Sequence, residues 1–262
     1  MSVTTINGDF VHYEVLGRGK PIVFIHGWLG TWRYWWSCMQ TLSKHHRAFA
    51  YDQWGFGDSG KVGSKYSFES YLDLLGQFVD KLGISGSLTL VGHDVGAAVA
   101  LRFARLNPER VEQLVTVSLP TVGSTINEQL INGKVDSYIN RYVTKIAPYP
   151  ELQQESVKND LAAVTAVARQ LVHYDFSEDL EQVSCPLLLA FGDRNPVIDF
   201  SRNEDDESTR IKDTIHIVTL EGCSHFPMLE ESAIFNRLVL DFINSKENET
   251  VTPKDYWQRR TR

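Results

Sequence analysis

The sequence predicts an α/β protein: a mostly parallel central sheet with helices on both faces, interrupted by an insertion made of helices. Three observations carry this reading. Strand-like and helix-like stretches alternate through the first 120 residues, the rhythm of parallel pairing with right-handed crossovers. Among the strand stretches are short unbroken apolar runs, the pattern of a strand buried on both faces. Between 121 and 182 the rhythm stops and helical spacing takes over, before a strand, strand, helix finish.

In chain order, residues 10–15 read as a half-buried strand, turned back by Gly17-Arg18-Gly19. Residues 21–25 are continuously apolar and stop at His26-Gly27. Trp32, Trp35, Trp36 and Met39 fall at helical spacing and predict a helix over 31–45. Residues 47–51 form the next strand, ending at Asp52. Phe68, Tyr71, Leu72, Leu75 and Phe78 recur at three- and four-residue intervals, which predicts a helix over 66–82. A strand at 87–91, a helix at 97–106 closed by Asn107-Pro108, and a strand at 111–117 follow. The insertion carries helical patterns at 126–143 and 157–173. Strands at 186–191 and 214–220 and a helix at 233–243 complete the core. The chain thus divides into core (1–120), helical cap (121–182), core again (183–245) and a polar, basic tail (246–262). That tail reads as solvated, with docking through Trp257 as the alternative.

A chain of 262 residues, 42% of them hydrophobic, buries a full core without covalent staples. Its net charge of −7 argues against a nucleic-acid binder held by a basic face. Cys38, Cys185 and Cys223 form neither a CxxC pair nor an even framework. The start, MSVTTINGDFVHYEV, lacks the basic residues and apolar stretch of a signal peptide. No run approaches the ~20 apolar residues of a membrane span. The expectation is a cytoplasmic globular protein.

The most informative stretch is Leu90-Val91-Gly92-His93-Asp94-Val95-Gly96-Ala97-Ala98. A buried strand runs into Gly-x-Asp-x-Gly and straight on into a small-residue helix. Glycines on either side permit a sharp, strained turn that pushes one side chain out above the sheet. The turn also aims the first N–H groups of the helix at whatever binds there. A plain helix N-cap is the other reading of Asp94.

Three further segments bear on the choice: Phe24-Ile25-His26-Gly27-Trp28, Asp52-Gln53-Trp54-Gly55-Phe56-Gly57-Asp58-Ser59-Gly60, and Glu221-Gly222-Cys223-Ser224-His225-Phe226-Pro227-Met228-Leu229-Glu230. With the turn at Asp94, their order and spacing resemble the α/β-hydrolase family over nearly the whole chain. Asp in place of the usual elbow Ser is similar to its epoxide hydrolase and haloalkane dehalogenase branches. The resemblance implies Asp94 as nucleophile, His225 as base, and the backbone N–H groups of Trp28 and Val95 as oxyanion hole. It implies no cofactor and no metal.

A carboxylate is already an anion at neutral pH and can attack a tetrahedral carbon, whereas a serine first needs its proton removed. Attack on a carbonyl would give a mixed anhydride, a poor route. Attack on an epoxide or a carbon–halogen bond gives an alkyl ester, which His225 and water would hydrolyse. The position of the family's acid is Asn195, in Gly192-Asp193-Arg194-Asn195-Pro196-Val197. An amide can hold the imidazole ring but cannot stabilise an imidazolium. The alternative acid position, after the strand at 111–117, holds Ser118 and Leu119. Asp193 or Glu221 is a conceivable replacement from a neighbouring position. Val95 supplies no side-chain donor for a halide, which favours epoxide opening. Epoxide hydrolases use cap tyrosines as proton donors, and Tyr138, Tyr142, Tyr149 and Tyr174 lie in the insertion. The expected function is epoxide hydrolysis of a small apolar substrate. The alternatives are haloalkane hydrolysis, a ligand-binding relative that lost turnover, and an esterase-like activity.

Some signals fall away. Gly55-Phe56-Gly57-Asp58-Ser59-Gly60 matches GxGxxG, but no helix follows directly and Asp58 would repel a phosphate. His45-His46 are adjacent and do not face each other on a helix. Cys223 reads as a small buried residue, and His93 as packing beneath the elbow.

Overall fold

The computed structural model describes residues 2–131, 135–142, 145, 147–199 and 214–245. The tail 246–262, with Trp257, lies outside the described residues. One eight-stranded sheet has the order β1-β2-β4-β3-β5-β6-β7-β8. Strands β1 (Ser2–Ile6) and β2 (Asp9–Leu16) form an antiparallel hairpin. Its Asn7-Gly8 turn has φ of 50° and 84°, the backbone a two-residue hairpin needs. Strand β2 pairs antiparallel with β4 (His46–Tyr51). Every remaining pairing is parallel, through β3 (Lys20–Ile25), β5 (Leu88–His93), β6 (Val111–Val117), β7 (Leu187–Gly192) and β8 (Ile215–Leu220). All of β5 is buried, Thr89 and His93 included, as befits a central parallel strand.

Helices α1 (Trp36–Leu42) and α10 (Ser232–Asn244) pack together on one face; α2 (Phe68–Lys81) and α3 (Val95–Leu106) cover the other. The helix predicted over 31–45 is shorter and begins differently. A 3-10 turn, Trp32–Trp35, precedes α1, with the Thr31 hydroxyl accepting from Arg33 N–H at 3.3 Å. This tighter turn seats Trp32, Tyr34 and Trp35 inward together. Helix α3 starts two residues earlier than its periodicity suggests, because Asp94 C=O already takes the N–H groups of Ala97 and Ala98.

Between β6 and β7 the chain forms α4 (Glu128–Ile131), α5 (Val135–Arg141), α6 (Pro150–Ser156), α7 (Leu161–Leu171) and α8 (Ser177–Gln182). The long patterns of the sequence are divided by local chemistry. Pro150 opens α6, where its missing N–H costs nothing. Asp160 caps α7, accepting from Ala162 N–H at 2.9 Å, so that helix starts at 161 rather than 157.

The insertion sits on the loops that leave β3 and β4. Asp160 N–H donates to Gly55 C=O at 2.7 Å, Gly57 N–H donates to Asn159 Oδ1 at 3.1 Å, and Arg33 Nε meets Glu155 Oε1 at 2.9 Å. The glycine-rich loop after β4 is folded on itself. Asp52 accepts from the N–H groups of Trp32 and Asp58 and from His12 Nδ1, and a Cβ at Gly57 would meet its carboxylate at 2.2 Å. No helix of the described residues is long and apolar enough to cross a membrane.

Candidate active site

Asp94 joins β5 to α3 at φ 58° and ψ −121°, a strained backbone for any residue with a Cβ. Close approach of three elements demands the flanking glycines. A Cβ on Gly92 would lie 2.4 Å from Gly96 O, and one on Gly96 would lie 2.4 Å from Ile25 O. The Asp94 side chain does not cap its own helix. It turns instead toward His225, with Oδ2 3.1 Å from Nε2. Both residues are fully buried.

His225 lies between β8 and α9 (Pro227–Glu230). Its Nδ1 is 3.1 Å from Asn195 Oδ1. The amide orientation follows from its other partners: Oδ1 also accepts from Val197 N–H and Ile198 N–H, while Nδ2 donates to Ser118 Oγ at 3.0 Å. Nδ1 of His225 therefore carries the proton and Nε2 presents a lone pair toward Asp94, the tautomer a general base needs. Asp193 and Glu221, the alternatives for the acid, are both exposed, and it is Asn195 that faces Nδ1.

Burial pushes the Asp94 carboxyl pKa up, and the N–H groups of Trp28 and Val95 pull it back down. Its Oδ1 has no hydrogen-bond partner among the described residues. Burial also lowers the pKa of His225. Both directions favour a proton on Asp94 over a buried ion pair, since Asn195 offers no charge to offset an imidazolium. Gly27 permits the contact of the Trp28 loop with the elbow: a Cβ there would lie 2.6 Å from Asp94 Cβ.

The four insertion tyrosines separate. Tyr138 is buried, its hydroxyl has no partner among the described residues, and burial and the Asp94 charge push its pKa up to about 12. The Tyr142 hydroxyl is 3.2 Å from Ser224 Oγ and its ring stands edge-on to His225. Tyr149 is half-buried, and burial, with the Glu230 carboxylate next, raises its pKa. Tyr174 donates to Glu69 and packs on Phe68 and Phe176, so it is not brought to Asp94.

Sequence reasoning missed the roles of three residues of this site. Tyr34 links Gly27 N–H to His93 Nδ1. Ser118 joins Asn195 to the His225 carbonyl. Glu230 accepts from the N–H groups of Ser224 and Phe226, on either side of the base. A carboxylate five residues after the His was the one readable hint. Metal-ligating types also gather at His93, Asp94 and His225, but both nitrogens of His93 are engaged in hydrogen bonds, to Tyr34 and to the His225 carbonyl. Cys223 is buried, as expected.

Comparison with known proteins agrees with this architecture. Residues 20–165 match the family model described as alpha/beta hydrolase fold. A non-heme chloroperoxidase of Kitasatospora aureofaciens is 25% identical over 276 aligned positions, covering 92% of this chain and 98% of that protein. Epoxide hydrolase 2 of Siraitia grosvenorii is 38% identical over 122 residues, 44% of this chain and 38% of that protein, so the match spans less than half of either. The bromoperoxidase structure from Bacillus anthracis aligns with a TM-score of 0.79 at 21% identity, covering 93% of this chain and 99% of that one.

Proposed function

The chain belongs to the alpha/beta hydrolase fold family, and within it we propose that Asp94 attacks the tetrahedral carbon of a small apolar electrophile, an epoxide in the first instance, to form an ester that His225 and water then hydrolyse. The observation that carries the reading is the Asp94 carboxylate itself, held out of a strained turn against the N–H groups of Trp28 and Val95, with His225 Nε2 at 3.1 Å. Both N–H groups lower the Asp94 pKa and so lie near its carboxyl; there they would stabilise an oxyanion formed on the Asp94 carboxyl carbon, the tetrahedral intermediate of ester hydrolysis.

In the first step an Asp94 oxygen bonds to the epoxide carbon, the ring C–O bond breaks, and its electron pair stays on oxygen. The proton that neutralises this oxygen comes from Tyr138, whose buried hydroxyl has no other partner; the proton shared by Asp94 and His225 replaces it. In the second step His225 Nε2 takes a proton from water as the water oxygen adds to the ester carbon. Collapse restores Asp94 and releases a diol, the leaving oxygen taking its proton back from His225. The partial matches to proteins named epoxide hydrolase support this choice of substrate, and we read the insertion as the cap that closes over it.

A haloalkane is the second reading. Trp28 has a buried indole N–H without an acceptor among the described residues, the kind of donor a departing halide uses, and loss of halide release in Trp28→Phe would favour it.

The test is intact-protein mass spectrometry after exposure to panels of epoxides and haloalkanes. One alkyl adduct should appear on the native protein and none on Asp94→Asn. Full turnover by that variant would overturn the mechanism, and ester hydrolysis that survives Asp94→Ala would make the protein an esterase instead.

A further inference from the structure

We propose that Tyr34 and His93 are positioning residues that join the loop of the Trp28 donor to the loop of the base, and that they serve the ester-hydrolysis step rather than the alkylation step. The step assignment rests on the Asp94 ester reading above.

The connection is a chain of three hydrogen bonds through the buried core. Gly27 N–H donates to Tyr34 OH at 2.6 Å, Tyr34 OH is 3.0 Å from His93 Nδ1, and His93 Nε2 is 2.8 Å from the carbonyl oxygen of His225. Its direction is forced. A carbonyl only accepts, so His93 Nε2 must carry a proton. Burial lowers the His93 pKa to about 3, so the ring is neutral and Nδ1 is a lone pair. The Tyr34 hydroxyl donates to that lone pair and accepts from Gly27 with its own oxygen. Each proton is used once, and the three groups are buried, where an unmade bond is costly.

The two ends of the chain are informative. Gly27 immediately precedes Trp28, whose N–H bears on the Asp94 carboxyl. The far end holds the backbone of His225, whose carbonyl also takes Ser118 Oγ at 3.3 Å. The loop is shaped around the Tyr34 ring: a Cβ on Gly30 would sit 1.7 Å from it. Alkylation needs the Asp94 carboxylate and a proton for the leaving oxygen. Hydrolysis needs the Trp28 N–H on the ester oxygen and His225 aligned with water, and those are the two groups the chain fixes.

The test is Tyr34→Phe, which keeps the ring and removes the bridging oxygen. Single-turnover intact mass measurements with a reactive epoxide, at a pH high enough to ionise Asp94 in both proteins, should show adduct forming at the wild-type rate and disappearing at least about tenfold more slowly, the size of effect that small misplacements produce. Equal disappearance rates in variant and wild type would overturn the positioning role and leave the Asp94 ester standing. No adduct on the wild-type protein would overturn the ester and the step assignment with it. Imidazole nitrogen NMR of the wild-type protein tests the chain without any variant or substrate. His93 should be protonated at Nε2 only and stay neutral down to mildly acidic pH, and the opposite tautomer or a cationic ring would overturn the proposal.

Discussion

Asn195 Oδ1 stands 3.1 Å from His225 Nδ1 while holding the N–H groups of Val197 and Ile198. The amide thus fixes the ring and its tautomer through an oxygen that three donors share, but adds no negative charge. Replacing a triad Asp by Asn costs about 10⁴ in kcat in serine proteases, where the wrong tautomer results. Here the tautomer is already that of a base, so only the missing charge is at stake. Asn195→Asp should therefore speed loss of the adduct by about 10- to 100-fold, equivalent to one or two units of His225 pKa. The decay of the adduct mass after a single turnover measures this, and an unchanged rate would place the acid elsewhere.

The pKa of the Asp94 carboxyl is raised by burial, and this has consequences for both rate and stability. The native state holds a proton that the unfolded chain releases, so above the ordinary carboxylate pKa stability falls as pH rises, until the native group has also ionised. Asp94→Asn removes that penalty. Its Tm should exceed that of wild type at neutral pH and match it near pH ~4, with roughly 2–4 °C for each kcal/mol in a chain of this size. Alkylation needs the anion, so adduct formation by the wild type should rise with pH over a range above that of a free carboxylate. Scanning calorimetry at the two pH values and a pH series of adduct formation check the two halves separately.

Tyr138 and Tyr174 lie in the same insertion but differ in partners. The Tyr138 hydroxyl is buried, unpartnered and within the field of Asp94, whereas Tyr174 spends its proton on Glu69. Tyr138→Phe should slow epoxide alkylation by about 10²-fold, the lower range for losing a positioned acid. It should leave hydrolysis of a preformed adduct unchanged and leave Tm equal or slightly higher, since a buried unsatisfied group disappears. Tyr174→Phe should leave both steps at the wild-type rate. Rapid-quench measurement of the two steps distinguishes them.

The core of the fold was readable because strand and helix patterns alternate and a parallel strand buried on both faces leaves an unbroken apolar run, as at residues 21–25. The elbow was readable because Gly92 and Gly96 have no room for a Cβ. Hairpin strand β1 was missed although Asn7-Gly8 marks its turn. The two long helical patterns of the insertion hid breaks set by Pro150 and by the Asp160 cap. At the site, Asp94, His225 and Asn195 come together as their order along the chain suggests. Tyr34 was illegible, because it belongs to no motif and gains its role only when distant loops meet; Ser118 was named as standing at the alternative acid position, but not as the hydroxyl that joins Asn195 to the His225 carbonyl.

Gly27 has no room for a Cβ. A methyl there would lie 2.6 Å from Asp94 Cβ, 2.9 Å from His93 Nδ1 and 3.0 Å from Asp94 Oδ2. None of these neighbours can yield freely, since Asp94 is fixed by its turn and His93 by two hydrogen bonds. The Trp28 loop must then move off the carboxylate. Gly27→Ala should cost about 1–3 kcal/mol of stability, as overpacking does, and about 10²-fold or more in ester hydrolysis through displacement of the Trp28 N–H. Gly63 is the matched control: it is exposed, and a methyl there meets nothing within 4 Å. Gly63→Ala should leave activity unchanged and Tm equal or slightly raised, because it only restricts the unfolded chain. A Gly27→Ala protein with wild-type hydrolysis would show that the Trp28 donor does not act on the ester.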